Sequence, residues 1–212
     1  MSPASGPSPS DVARDFFDAL RDARWADAAA HVHPDATAAL RESRLALLIA
    51  WAEHRDEIRA ARAREGMFFG YSSDGIVDST RLARHAATPL PAFDGCPTLG
   101  ALAELEPAAF MATLLSASNG PVGATTARPL ARPSRRVIGE VYEGERLAHV
   151  LYRAEGGGIA YTDPHHVDVV HLTRVDEDWR EDWRVALTTM NDDLIDGGYM
   201  LRLYGADELE GA

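Results

Sequence analysis

The chain has 212 residues, 46% apolar and 25% charged, and 33 acidic against 21 basic side chains give a net charge of −12. This composition is typical of one globular domain that is long enough to bury a core without disulfides. The acidic balance argues against a nucleic acid or an anionic membrane as partner, because both require a clustered cationic surface. The single cysteine, Cys96, excludes an internal disulfide and a thiolate zinc site. With no signal-peptide pattern and no apolar run of about 18 residues, we expect a soluble, cytoplasmic protein.

The first half of the chain has helical spacing. Apolar residues three or four positions apart predict a helix over residues 11–24, with Ser10 as its N-cap. A short second helix is predicted from Trp25, and the His33-Pro34 step ends it because the residue before a proline disfavours helical geometry. We place His31 and His33 at the carboxyl end of this helix, where an imidazolium would complement the helix dipole.

A long third helix is predicted from its cap at Asp35 to Gly66, with arginines and glutamates on its solvent side. Residues 66–98 are rich in glycine and proline and are predicted to be irregular. Short helices are then predicted over residues 98–105 and from Pro107 to Ser118.

The second half alternates as strands do. Enrichment in β-branched and aromatic residues predicts strands over residues 136–142, 145–153, 167–175 and 183–189. Short connections make consecutive strands antiparallel neighbours, so the fold class is α+β with helices on one face of the sheet. The repeated Glu-Asp-Trp-Arg at residues 177–180 and 181–184 is interpreted as a duplication that lengthens a hairpin turn.

Both faces of the second predicted strand carry apolar side chains. One set is Leu147, His149 and Leu151, and the other is Ala148, Val150 and Tyr152. Because helices cover only one face, the second face also needs a partner. We therefore expect a homodimer that forms through the sheet.

Several segments resemble the nuclear transport factor 2-like superfamily, which includes the SnoaL-like cyclases and the ketosteroid-isomerase-like proteins. The segments similar to the opening helices of that group are FFDAL at 16–20, WADAA at 25–29 and HPD at 33–35. Those similar to its long hairpin and closing strands are GEVYEGERLA at 139–148, VVHLTR at 169–174 and WRV at 183–185.

The resemblance implies a cone-shaped (cystatin-like) α+β half-barrel, with N-terminal helices packed on a curved antiparallel sheet around one pocket, in a homodimer. We expect a disordered tail at 1–10, one domain at 11–200 and an acidic tail at 201–212. Within the domain, residues 36–105 form a helical insertion that covers the pocket, and 136–190 form the sheet. None of the catalytic carboxylates and tyrosines of the isomerases is transferred to a residue of this sequence.

Histidines are the first candidates for chemistry. His149 and His171, with Asp192 after the last strand, are predicted as a catalytic acid–base set, because a histidine and a carboxylate in an apolar pocket can exchange protons near neutral pH. Tyr152 has the opposite parity from His149, so a regular strand cannot turn both inward. His165 and His171 lie about 20 Å apart along a strand and cannot share a metal ion.

A metal site built from His149, His171 and a carboxylate stays open as an alternative, but no metal and no cofactor are expected. In the irregular segment, Asp74, Asp78 and Tyr71 are either functional or capping and packing residues.

Two functions remain open at this point. The first is a module that binds a small apolar molecule without catalysis, and the second is a cofactor-independent lyase, isomerase or hydrolase. The fold does not choose between them. The residues expected to bind the ligand are Phe16, Leu20, Trp51, Tyr71, Phe110 and Tyr152.

Overall fold

A computed structural model describes residues 6–57, 60, 77–90, 93, 95–119, 134–155, 167–177 and 180–187. The chain has an α+β fold, in which helices pack on a four-stranded antiparallel sheet of order β1-β2-β3-β4. The helices are α1 (Pro9–Arg21), α2 (Trp25–Ala30), α3 (Pro34–Glu53), α4 (Ser79–His85), α5 (Leu99–Ala103) and α6 (Pro107–Asn119). The strands are β1 (Ser134–Glu143), β2 (Leu147–Glu155), β3 (Asp168–Glu177) and β4 (Arg180–Val185).

Helix α1 begins two residues earlier than the sequence predicts, and Ser8, not Ser10, is its N-cap. The Ser8 hydroxyl accepts a hydrogen bond from the Asp11 backbone N–H, and the Asp11 carboxylate accepts one from the Ser8 backbone N–H. This reciprocal capping box satisfies two backbone donors at once and so outcompetes a cap at Ser10. Ser10 is buried instead, and its N–H donates to Glu140 Oε2 at 3.0 Å.

Helix α3 differs from its prediction at both ends. His33, not Asp35, caps it, because the His33 Nδ1 atom accepts the Asp35 N–H at 3.0 Å. The helix is interrupted at His54, after Glu53, and residues 55–57 and 60 are helical again, while Gly66 lies outside the described residues. Its arginines are not all on the solvent side, since Arg44 is only 6% exposed.

The predicted antiparallel meander is confirmed, with small changes in strand limits. Strand β4 begins at Arg180, which pairs with Glu177 of β3, so only two residues of the sequence separate these paired positions. The second copy of the repeat is therefore strand, and the prediction of a lengthened turn was wrong. Trp183 lies in the strand as predicted, and β4 ends at Val185 rather than at residue 189.

The core lies between the helices and one face of the sheet, which we call the helix face. Ala148, Val150 and Tyr152 of β2 point into it and are fully buried. The Tyr152 ring lies 4.7 Å from that of Phe17 on α1. Val170 and Leu172 of β3 continue the same surface. Alternation along each strand thus presents one complete apolar surface to the helices.

The connection between α2 and α3 is joined to the last strand. Val32 forms a parallel bridge with Val185, and His31 O and His33 N both hydrogen-bond to the Val185 backbone. Burial lowers the pKa of His31, so it favours the neutral form and not the predicted imidazolium at a helix end. In the described part of the chain, every helix is too short or too polar to cross a membrane.

Candidate functional site

Two histidines meet at the centre of the sheet on the face opposite the helices, which we call the histidine face. His149 of β2 and His171 of β3 are direct cross-strand partners. Their Nδ1 atoms are 2.7 Å apart, and the rings meet edge to face at 88° with centroids 4.9 Å apart. Because two lone pairs cannot face each other at hydrogen-bond distance, one Nδ1 atom must carry a proton.

A carboxylate determines which nitrogen carries that proton. Glu143, the last residue of β1, places Oε2 3.0 Å from His149 Nε2. An ionised carboxylate only accepts, so His149 donates from Nε2 and its Nδ1 accepts from His171. The result is a chain of hydrogen bonds from His171 through His149 to Glu143, which leaves the Nε2 lone pair of His171 as its basic end.

Exposed and partly buried apolar side chains surround the histidine pair. Val141 lies opposite His149 and is 54% exposed, and Leu151 and Val169 form the next cross-strand pair on this face. Burial is the main cause that lowers the pKa of His171, and the neighbouring His149 adds to it. Both effects favour the neutral form of His171.

The structure brings together only part of the predicted catalytic set. His149 and His171 do meet, while Asp192 lies outside the described residues. Glu143, which sequence reasoning missed, is the carboxylate that contacts His149. The spacing of residues along β1 could have indicated Glu143. Side chains two residues apart on a strand lie on the same face, so Glu143 shares a face with Val141 and with His149, which pairs with Val141.

The predicted ligand-binding residues lie on the other side of the sheet. Phe16, Leu20, Trp51, Phe110 and Tyr152 are all buried in the core. Tyr71 lies outside the described residues. The backbone of the sheet therefore separates these residues from the histidine pair, and no single site can contain both sets.

The indole N–H of Trp51 is a buried donor in the core. Trp51 is 2% exposed, and its Nε1 has no hydrogen-bond partner among the residues that the structure describes. The Arg55 guanidinium lies over the ring of this tryptophan, 5.4 Å from its centroid, which satisfies the π system but not the N–H. A buried donor left without an acceptor costs about 1–3 kcal/mol.

The remaining candidates have structural roles or lie outside the described residues. Asp78 is the N-cap of α4, because its Oδ1 accepts from the backbone N–H groups of Thr80 and Arg81. These hydrogen bonds lower the pKa of the Asp78 carboxyl. Cys96 is buried, which raises its thiol pKa. Within the described ranges, no group of three histidine, cysteine or acidic residues is placed to hold a metal ion.

Comparison with known proteins adds no relative: no family model, no curated protein and no solved structure matches this chain.

Proposed function

We propose that this chain is a small-molecule-binding protein of the nuclear transport factor 2-like type, whose ligand lies between the helices and the helix face of the sheet. The ligand is apolar and carries a hydrogen-bond acceptor such as a ketone oxygen. The observation that carries this proposal is the buried indole N–H of Trp51, which has no hydrogen-bond partner within the described ranges.

The chemistry of the core agrees with such a ligand. The side chains around the helix face are mostly aliphatic and aromatic, which suits an apolar molecule. An acceptor on that molecule would satisfy the Trp51 donor and recover its desolvation cost. The helix-on-sheet architecture and the Val32–Val185 bridge, which continues the sheet beyond β4, also support the half-barrel assignment.

The test uses a fluorescent ketone and a matched probe without the ketone. Prodan is an apolar naphthalene that carries a carbonyl group, and dimethylaminonaphthalene lacks this group. We expect the protein to bind prodan more tightly by roughly ten-fold, since the donor contributes about 1–3 kcal/mol. Trp51→Phe keeps the aromatic ring and removes the N–H, so it should erase the preference for the ketone.

Trp25→Phe is the control, because Trp25 lies in α2 at the edge of the core and is partly exposed. It should retain the preference of the wild type. Equal binding of both probes by the wild type, or no binding of either, would refute the proposal.

The proposal includes a homodimer formed through the histidine face. Val141 is 54% exposed there, and Leu147, Leu151 and Val169 extend the apolar part of the surface. Exposed apolar residues on a sheet face that no helix covers in the described part of the chain are typical of a surface that another chain covers.

A second candidate function is general acid–base catalysis, as in a lyase, isomerase or hydrolase. The hydrogen-bonded chain from His171 through His149 to Glu143 favours it, because the carboxylate orients the imidazoles and leaves one basic nitrogen. Hydrolysis of p-nitrophenyl acetate above the background rate of free imidazole would support this function. His171→Gln should remove that excess, and an unchanged rate in this variant would exclude His171 from catalysis.

A further inference from the structure

We propose that the His149–His171 pair makes docking of a second copy on the histidine face pH-dependent, so that the dimer forms near neutral pH and dissociates in mild acid. This inference rests on the proposed homodimer. It adds the groups that control assembly.

The pair lies where a second copy would bury it. His149 and His171 belong to the two middle strands, β2 and β3, and are the third of the six residue pairs that join these strands. An isologous dimer has a two-fold axis through its interface, so the same patch of each copy meets near that axis. The two histidine pairs would therefore lie close together, with four imidazoles in one desolvated region.

The number of protons bound to each histidine pair determines whether this arrangement is stable. The neutral pair shares one N–H between two Nδ1 atoms at 2.7 Å. One added proton is accommodated, because an imidazolium at His149 donates to both the Glu143 carboxylate and His171. A second added proton places an N–H on both Nδ1 atoms, which breaks their hydrogen bond and leaves two facing cations that a second copy would have to desolvate.

The charged neighbours do not compensate for the second cation. Glu143 of β1 faces His149, but its side chain is 72% exposed and balances one charge only. On β4, Asp182 lies 3.6 Å from Arg184, so its carboxylate already has a cationic partner. Burial lowers the pKa of His171, which places the second protonation below the ordinary histidine value of 6.5.

A second copy of the chain fits this face by charge. Arg136 and Arg153 are cross-strand partners at one end of β1 and β2, and Glu143 lies at the other end. A two-fold axis in the plane of the face and perpendicular to the strands would set the arginine end of one copy against the glutamate end of the other. The face is therefore complementary to itself.

The size of the face also fits. Four strands about 4.8 Å apart and about eight residues long, at about 3.3 Å per residue, project roughly 500 Å². A face of this size lies at the low end of specific interfaces, below the roughly 800 Å² per partner of a standard one, as suits a dimer that dissociates readily.

The experiment is analytical ultracentrifugation of the full chain across a pH series from 7.5 to 5.0, with far-UV circular dichroism at each pH and comparison only where the spectrum is native. We expect the dimer dissociation constant to rise about ten-fold or more across the series, because one unit of pKa difference in one histidine corresponds to a factor of ten. The double variant His149→Gln, His171→Gln has no imidazole in the pair that could be protonated. Its dimer dissociation constant should therefore stay the same from pH 7.5 to pH 5.0.

Two further variants complete the set. Val141→Arg adds a charge at an exposed position on β1, directly beside His149, and should be monomeric at every pH. His54→Gln changes a histidine at the end of α3, far from the sheet, and should retain the acid dissociation of the wild type.

The outcomes separate the two proposals. A wild type that is monomeric at every pH overturns the homodimer and this inference with it. A dimer of constant affinity overturns the pH dependence and leaves the homodimer standing. Acid dissociation that persists in the double glutamine variant overturns the role of the histidine pair.

Discussion

The two faces of one sheet differ in what satisfies them. On the helix face, Ala148, Val150 and Tyr152 are fully buried by the chain's own helices. On the histidine face, His149 lies between these residues in the same strand, and its hydrogen-bond partners among the described residues are His171 of β3 and Glu143 of β1. Because side chains alternate along a strand, the helix face carries the packed core and the histidine face carries the hydrogen-bonded histidine pair. Three experiments test this division, beginning with the one of largest effect.

Leucines on opposite faces provide a matched test of packing. Leu172→Ala on the helix face should lower the free energy of unfolding by about 2–5 kcal/mol, because it leaves a cavity in a fully buried site. Leu151→Ala, on the histidine face, should cost less than about 1.5 kcal/mol. Urea unfolding in a Val141→Arg background, which prevents docking of a second copy, measures both. Equal losses would contradict the division between the faces.

The tie between α1 and the helix face is a smaller contribution. Glu140→Ala removes the acceptor of the Ser10 N–H and should lower the free energy of unfolding by about 1 kcal/mol at pH 7.

This loss should depend on pH. The hydrogen bond from Ser10 lowers the pKa of Glu140 below its ordinary value of 4.5. The stabilisation is therefore complete above that value and disappears as pH falls through the lowered pKa. Thermal unfolding at pH 7 and pH 3 checks this, with Glu145→Ala in the exposed β1–β2 turn as control. If Glu140→Ala lowers the stability equally at pH 7 and pH 3, the loss comes from packing and not from the ionised carboxylate.

The smallest expected effect concerns the start of α1. Ser8→Ala removes the capping hydroxyl and should cost about 0.5–1 kcal/mol. Ser10→Ala should cost less, since the hydroxyl of Ser10 is not the cap. Chemical denaturation of the two variants compares them, and a larger loss at Ser10 would return the cap to the position that the sequence predicted.

Much of the fold could be predicted from the sequence, because its elements depend on local periodicity. The helix from Pro107 and the antiparallel order of the strands needed only spacing and short connections. Caps were harder to predict, because several polar residues compete for one helix end. His33 replaced Asp35 since its ring nitrogen reaches the first free backbone N–H. The sequence also showed that His149 and Tyr152, three residues apart on one strand, lie on opposite faces of the sheet.

The sequence by itself determined the α+β class, the four-stranded meander and the separation of His149 from Tyr152, since each depends on residues close in the chain. Only the tertiary structure decided which parity the helices cover, that Glu143 contacts His149 and that the indole N–H of Trp51 is buried without a partner in the part of the chain that the structure describes. These features depend on which distant residues meet across strands and between layers. Register and packing set those contacts, and neither can be read from the spacing of residues along a single element.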